Sequence, residues 1–367
     1  MICKRIRVSD FRNIRAADVS FDDGVNLLVG RNAQGKTNLL EAIFYASLGK
    51  SFRASSDEEM IRFGADLFEI SLDFADSVRE QNLTVRLLKG KRRRIEHNRV
   101  RLSKVSEAVG LFRTVLFCPE HLSIVKEGPG ERRNLLDVAI SQLYPAYLHS
   151  LQNYNKVLKQ RNQLLRAAAD DPKTFRETIE FWSQTLAGEA AVLAGYRKRY
   201  CDLLDPKVKE IFHEMTGGCE TPTLCYEPSL HAELEIFEDE EAAEKAYFEK
   251  LMGNHEREIA AESTLWGTHK DDVRIDLNGK PARTFASQGQ QRSLALAIKL
   301  AEGSICEEIC REMPAYLLDD VFSELDSARR SYLAEKIVGR QVIITTCEEN
   351  LPAAGKLIRV ENGEYFA

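Results

Sequence analysis

"GVNLLVGRNAQGKTNLLEAIFYASLG" (residues 24–49) decides the fold. A short apolar run ends on a glycine. A polar loop follows with Gly30, Gly35, Lys36 and Thr37 in G-x-x-x-x-G-K-T spacing, then an apolar-periodic segment that stops at Gly49. The run reads as a buried strand and the later segment as a helix closed by glycine. Strand, glycine loop and helix in this order are the setting in which such a loop cradles phosphate. Its glycines let the backbone curl, so the N–H groups of Gly30, Arg31, Asn32, Ala33, Gln34, Gly35, Lys36, Thr37 and Asn38 would line an ATP phosphate chain. Lys36 would neutralise the outer phosphates, and the Thr37 hydroxyl would ligate Mg2+.

A loop of this kind needs a carboxylate for its metal. "AYLLDD" (residues 315–320) provides an apolar strand that ends in Asp319, followed by Asp320. Asp319 would hold Mg2+, and Asp320 would orient or deprotonate an attacking water. A second polar turn, "FASQGQQRS" (residues 285–293), runs into another helical pattern, expected to begin after Gln290. Ser287, the Gly289 backbone and Gln290 would form an anion site at that helix N-terminus. The first loop already serves its own phosphates, so this second site is spare. A spare phosphate site suggests a nucleotide shared between two copies of the chain.

The totals set the frame. A chain of 367 residues with 44% hydrophobic and 29% charged residues is long enough for two globular domains. It contains no apolar run long enough to span a membrane, and "MICKRIRVSDF" lacks the apolar core of a signal peptide. The expected location is cytoplasmic, with no membrane partner. The eight cysteines form no C-x-x-C pair and no zinc-finger spacing, so they read as reduced thiols. Net charge is −6, so any nucleic-acid contact must come from a local patch. "KGKRRRIEHNRVRLSK" (residues 89–104) is such a patch, with eight basic residues and one acidic. Lys91, Arg92, Arg93, Arg94, Arg99 and Arg101 are its candidates for DNA phosphate contact. Arg132 and Arg133 are a second candidate pair.

Along the chain the periodicity changes twice. Residues 1–130 read mostly as strands with one helix; Phe68, Ile70, Leu72 and Phe74 alternate as in a half-buried strand, and 97–99 reads as a hairpin turn. Residues 131–262 read as long amphipathic helices packed antiparallel around one short strand. Their stripes are Leu151, Leu158 and Leu165 with Tyr147 and Tyr154, then Phe175 to Tyr200, then Tyr247, Leu251, His255 and Ile259. From 263 to 367 strand signals return, with an Asn278-Gly279 hairpin dipeptide. The expected architecture is α/β: a head built from both chain ends, with a helical second lobe inserted in the middle.

The order of glycine loop, S-x-G-Q turn, apolar-Asp-Asp and "SELD" resembles the ABC-type P-loop ATPase heads. Within that group the chain resembles the RecF family of bacterial recombination mediators. "FRNI", "GKSFRASSDEEMIRFGA", "FCPEHLSIVKEGPGERRNLLD", "GTHKDDVRI", "SQGQQRS" and "LLDDVFSELD" match that family's blocks in order along nearly the whole chain. The resemblance implies an ATP-dependent DNA-binding protein of replication and repair. It would act on double-stranded, gapped or junction DNA, and with RecO and RecR aid loading of RecA. It also implies an ATP-driven homodimer, in which Ser287 and Gly289 touch the partner's outer phosphate and Asp326 lies at the dimer seam.

Some positions depart from the family pattern. Thr268 and Lys270 in "GTHKDD" replace proline and arginine, so position 270 offers a point charge in place of a planar bidentate fork. Asp320 stands where the wider ABC group has glutamate, and Thr346 where transporters place histidine. Both imply slow hydrolysis, suited to a switch. The competing readings are a chromosome-organising head of the SMC type, an ATP-driven nuclease and a transporter subunit. The first needs far longer helical arms than about 130 inserted residues allow, and the second needs a further catalytic domain. The third predicts no DNA affinity.

Overall fold

The strand Val25–Val29 takes a central place in a six-stranded sheet. Val342–Thr346 and Lys356–Glu361 flank it in parallel, Ala315–Asp319 and Thr114–Phe117 continue the parallel order, and Glu364–Phe366 closes one edge antiparallel. The central strands are buried on both faces, as parallel strands covered on two sides must be. The computed structural model describes residues 1–348 and 352–366; residues 349–351 and 367 of the expected 263–367 segment lie outside the described residues.

A second six-stranded sheet is antiparallel, in the order Ile14–Ser20, Ile2–Phe11, Leu67–Ala75, Glu80–Leu88, Arg94–His97, Val100–Arg101. Its expected alternation is present: Phe68, Ile70, Leu72 and Phe74 are buried, with Ile70 facing Val85 across the ladder. Helix Lys36–Leu48 packs against strands of both sheets. Leu39, Leu40, Ala42, Ile43, Phe44 and Tyr45 are all buried, which explains why this helix is apolar around most of its circumference.

Two compact units divide the chain: Met1–Ser123 with Glu214–Gly217 and Gln288–Ala367, and Ile124–His213 with Gly218–Ser287. The stretch 263–287, expected with the head, clusters with the second unit. There the strand Asp272–Leu277 pairs antiparallel with Pro222–Glu227 on one side and Lys280–Pro281 on the other. Asn278 and Gly279 form the hairpin turn with φ of 52° and 73°.

In the second unit, helices Pro145–Ala167 and Pro172–Thr216 run antiparallel. Tyr147 meets Arg197, Asn153 meets Glu189, and Arg161 meets Ser183. The buried face of the first helix is Tyr147, Ser150, Tyr154, Val157, Arg161 and Leu165, a 3.6-residue period; Leu151 and Leu158 of the expected heptad are only half-buried. Arg161 sits wholly inside, donating to Ser183, Thr264 and the buried carboxylate of Glu258. The third expected stripe is split into two helices, Glu240–Met252 and His255–Ala260, which leaves His255 and Ile259 half-buried.

Candidate functional site: a phosphate loop, a carboxylate corner and a signature turn

The loop that follows Val25–Val29 is held tightly to its sheet. A Cβ on Gly30 would lie 2.2 Å from the Val360 carbonyl oxygen, so only glycine fits there. Gly35 has φ +113° and faces the Asn13 amide, a backbone region that other residues rarely adopt. Lys36, the first residue of its helix, is buried; its Nζ donates to the carbonyls of Gly30 (2.6 Å) and Arg31 (2.9 Å). Residues 32–38, with Asn13, Arg53, Asp320 and Thr345, line a cavity of about 350 Å³. Gly30 and Arg31 form the loop's base and do not line it.

The carboxylate corner closes that cavity. Asp319 Oδ1 accepts from the Thr37 hydroxyl (2.7 Å) and from the Thr345 hydroxyl (2.6 Å). Asp320 follows with φ 50°, a strained left-handed conformation, and its N–H donates to Thr345 at both carbonyl (3.1 Å) and hydroxyl (3.0 Å). Burial, reinforced by the adjacent Asp319 charge, raises the Asp320 carboxyl above the usual range. The paired hydroxyl and carboxylate oxygens of Thr37 and Asp319 are a hard donor set of the kind that suits Mg2+.

Three residues of this corner escaped sequence reasoning. Thr345 joins the Asp319 carboxylate and the Asp320 N–H, while the neighbouring Thr346 hydroxyl accepts from the Glu348 N–H (2.9 Å). Strand alternation sends the two neighbouring hydroxyls to opposite sides of the strand. Cys347 is exposed beside the loop, with its sulfur 3.4 Å from Lys36 Nζ and 3.0 Å from Asn32 Oδ1. Arg53 donates to Asn38 (3.2 Å) and lies 3.9 Å from the buried carboxylate of Glu41, which Arg12 grips with a two-pronged contact. Its signal was the block "GKSFRASS" just past the helix.

The signature turn is helical earlier than expected. The helix is Gln288–Cys310, so Gly289 and Gln290 lie in its first turn and exposed Ser287 immediately precedes it. Gly289 and Gln290 do not line the phosphate cavity. Asp326 caps helix Ser327–Lys336, accepting from the Arg329 N–H (3.0 Å).

The basic segment separates into two groups. Lys91, Arg92, Arg93, Arg94 and Arg101 surround a cavity of about 630 Å³ together with Lys104, Asp57 and Glu58. Arg99 belongs to the hairpin turn at the opposite end of the edge strand, in a cavity shared with Lys4 and Arg5. Arg93 is engaged internally: it donates to Tyr45 (3.0 Å) and to the Gly49 carbonyl, pairs with Asp57 (3.1 Å) and lies over the Tyr45 ring.

Arg132 is likewise a structural residue and not a surface cation. It is buried, forks onto Asp272 (2.7 and 2.8 Å) and donates to the carbonyls of Ile124 and Glu127. Arg133 donates to the Asp271 carbonyl (2.7 Å). The segment "GTHKDD" thus organises the interior of the second unit. Asp271 is buried with Arg197, Tyr226 and Ser229, and His269 sits between Tyr154 (2.6 Å) and the Thr264 carbonyl (3.0 Å). Lys270 is exposed.

The family model described as RecF/RecN/SMC N terminal domain matches residues 2–364. The DNA replication and repair protein RecF of Clostridium acetobutylicum is 37% identical over 370 residues, covering 99% of both chains; that of Lachnospira eligens is 37% identical over 94% of this chain and 92% of its own. A solved structure of the recombination mediator protein RecF-ATP in the RecFOR pathway superposes with a TM-score of 0.91 at 33% identity, covering 99% of this chain and 96% of that one. An Smc head bound to the C-winged helix domain of ScpA gives a TM-score of 0.59 at 17% identity, a likeness of fold alone. A P-loop head of the ABC ATPase type, formed by both ends of a chain that matches RecF proteins from end to end, identifies the protein as a member of the RecF family of DNA replication and repair proteins.

Proposed function

We propose that this chain binds ATP with Mg2+ and uses it to close two copies on DNA. The reading extends to recombinational repair and replication restart, with gapped or junction DNA as substrate and RecO, RecR and RecA as partners in the cytoplasm. The observation that carries it is the separation within the head. The phosphate loop shares one corner with Asp319, Thr345 and Asp320, while Gly289 lies outside that cavity. In this reading the turn, which does not line its own loop's cavity, meets the nucleotide of a second copy. Support comes also from the relatives, which are RecF proteins, and from the RecF-ATP neighbour of the RecFOR pathway.

In this reading Lys36 turns from the Gly30 and Arg31 carbonyls to the outer phosphates. Thr37 and Asp319 would hold Mg2+, which would supply charge neutralisation of the phosphate oxygens. Asp320, with its raised pKa and fixed by Thr345, positions the attacking water and accepts its proton. Arg53 adds a cation to the cavity rim, with Glu41 and Asn38 orienting it. Ser287 and Gly289 meet the partner's nucleotide, and Asp326 lies at the seam. Hydrolysis is slow and serves to release DNA. Lys91, Arg92, Arg94 and Arg101 contact DNA phosphates, with Arg99 as an outlying contact; Arg93 supports the segment from within.

Light scattering with Mg2+ alone and with Mg2+-ATP, in the Asp320→Asn variant, tests the central step. A doubling of mass that Ser287→Arg abolishes supports a shared nucleotide. Mass that remains that of one protomer with both ATP and gapped duplex present rejects it. A gel shift on gapped duplex, compared with intact duplex, tests the DNA preference.

A further inference from the structure

Two arginines bind the signature helix Gln288–Cys310 to the turn that carries Asp326. Arg292 donates to the Glu324 carbonyl (2.6 Å) and pairs with the Glu324 carboxylate (3.2 Å). Arg329, from the helix Ser327–Lys336, spreads its fork between both elements. Its Nη2 donates to the Gly289 carbonyl (3.0 Å), its Nε to Ser293 Oγ (2.7 Å) and its Nη1 to the Asp326 carboxylate. The Ser293 hydroxyl donates in turn to the same Gly289 carbonyl (3.1 Å), so the hydrogen bonds form a closed network. Only 21% of the Arg329 side chain is exposed. A Cβ on Gly289 would stand 3.4 Å from Arg329 Nη2, which places the guanidinium directly against the first turn.

We infer that Arg329 is a positioning residue that fixes Gly289 and Asp326 to each other as one preformed surface for the nucleotide held by a second copy. The inference rests on the shared-nucleotide reading above. Its physical basis is preorganisation. A turn and a helix end that are already locked lose less conformational freedom when the partner docks. Charge-assisted bonds from a planar fork hold three acceptors at once, which the single ammonium of lysine cannot reproduce. The guanidinium also lies near the N-terminal end of the signature helix, where its charge adds to the positive end of the dipole that an incoming phosphate meets.

The test compares Arg329→Ala, Arg329→Lys and Ser293→Ala, each in the full chain carrying Asp320→Asn. Protomer affinity is read with a fluorescent ATP analogue, dimer mass by light scattering with Mg2+-ATP, and order in the first turn by hydrogen exchange over residues 289–296. Arg329→Ala is expected to weaken the ATP-dependent dimer by about tenfold or more, since it removes charge-assisted bonds to three partners. Exchange over 289–296 should speed up while protomer ATP affinity stays within about twofold, because the cavity is lined by other residues. Arg329→Lys should stay close to Arg329→Ala, and Ser293→Ala should do less and add little to it.

Unchanged dimerisation with unchanged exchange overturns the inference. So does an ATP affinity that falls in step with dimerisation, which would indicate general loosening. If the parent itself fails to dimerise, the shared-nucleotide reading is what fails, and the exchange measurement alone then decides whether Arg329 orders the turn. Should Arg329→Ala not fold, Arg329→Lys and Ser293→Ala carry the same comparison.

Discussion

The hydroxyl of Thr37 lies 2.7 Å from Asp319 Oδ1 across a sequence separation of 282 residues. This bond joins the loop from one end of the chain to the strand from the other. Thr345, 2.6 Å from the same oxygen, completes the corner and also holds the Asp320 N–H. Thr345→Val should remove one of the two hydrogen bonds made by each of these groups, leaving Thr37 on Asp319 and the residue-345 carbonyl on the Asp320 N–H. The expected loss is about 1–3 kcal/mol of transition-state stabilisation, roughly fivefold to 150-fold in turnover, with ATP binding retained. Thr346→Val should keep turnover, since among the described residues its hydroxyl accepts from the Glu348 N–H and does not touch Asp319. Single-turnover hydrolysis with the two variants side by side checks this; equal losses would mean that Thr345 has no special place.

Asp320 has a raised pKa, from burial and from Asp319 beside it. A base must be ionised to accept a proton, so activity is present above its folded pKa and lost as pH falls through it. The acid limb of the turnover profile should therefore lie above the usual aspartate pKa of about 3.9. Asp320→Glu should move that limb. A profile flat down to ordinary aspartate values would remove Asp320 from the role of base.

The basic segment predicts two different phenotypes. Lys91→Ala, Arg92→Ala and Arg94→Ala should weaken DNA binding and flatten its salt dependence by about 0.9 for each phosphate that is no longer neutralised. Arg93→Ala should instead lower stability by about 1–3 kcal/mol, because Tyr45, Gly49 and Asp57 lose their shared donor. Binding isotherms over a salt series and thermal melts separate the two effects. A salt slope that responds to Arg93 alone would reverse the assignment.

His269 makes the second unit sensitive to acid. Burial pushes its imidazole down to about 4, as a neutral ring that accepts from Tyr154 and donates to Thr264. The unfolded chain takes up a proton near pH 6.5 and the folded one does not, so stability is full above pH 6.5 and falls as pH drops toward 4. The loss should reach about 3 kcal/mol at pH 4. Denaturant melts of His269→Gln should show a shallower pH dependence than those of the parent, whatever the cost at neutral pH. Parallel curves would show that other groups set the acid limit.

The head was legible in the sequence because its chemistry is local. Residues 30–38 carry their own glycines, lysine and threonine, and a strand with apolar residues before Asp319 announces itself in five letters. Alternation at Phe68–Phe74 and the Asn278-Gly279 turn were legible for the same reason: period and turn chemistry are properties of neighbouring residues. Tertiary structure alone decided which of two adjacent threonines meets Asp319, that Arg161 takes a core position against Ser183, Thr264 and Glu258, and that Arg93 and Arg132 turn inward while Lys91 and Arg92 face out. An arginine's letter does not say whether a carboxylate and a pair of carbonyls await it from residues many positions away. Those partners exist only after the chain closes, and closure sets both the cost of burying a charge and the bonds that offset it.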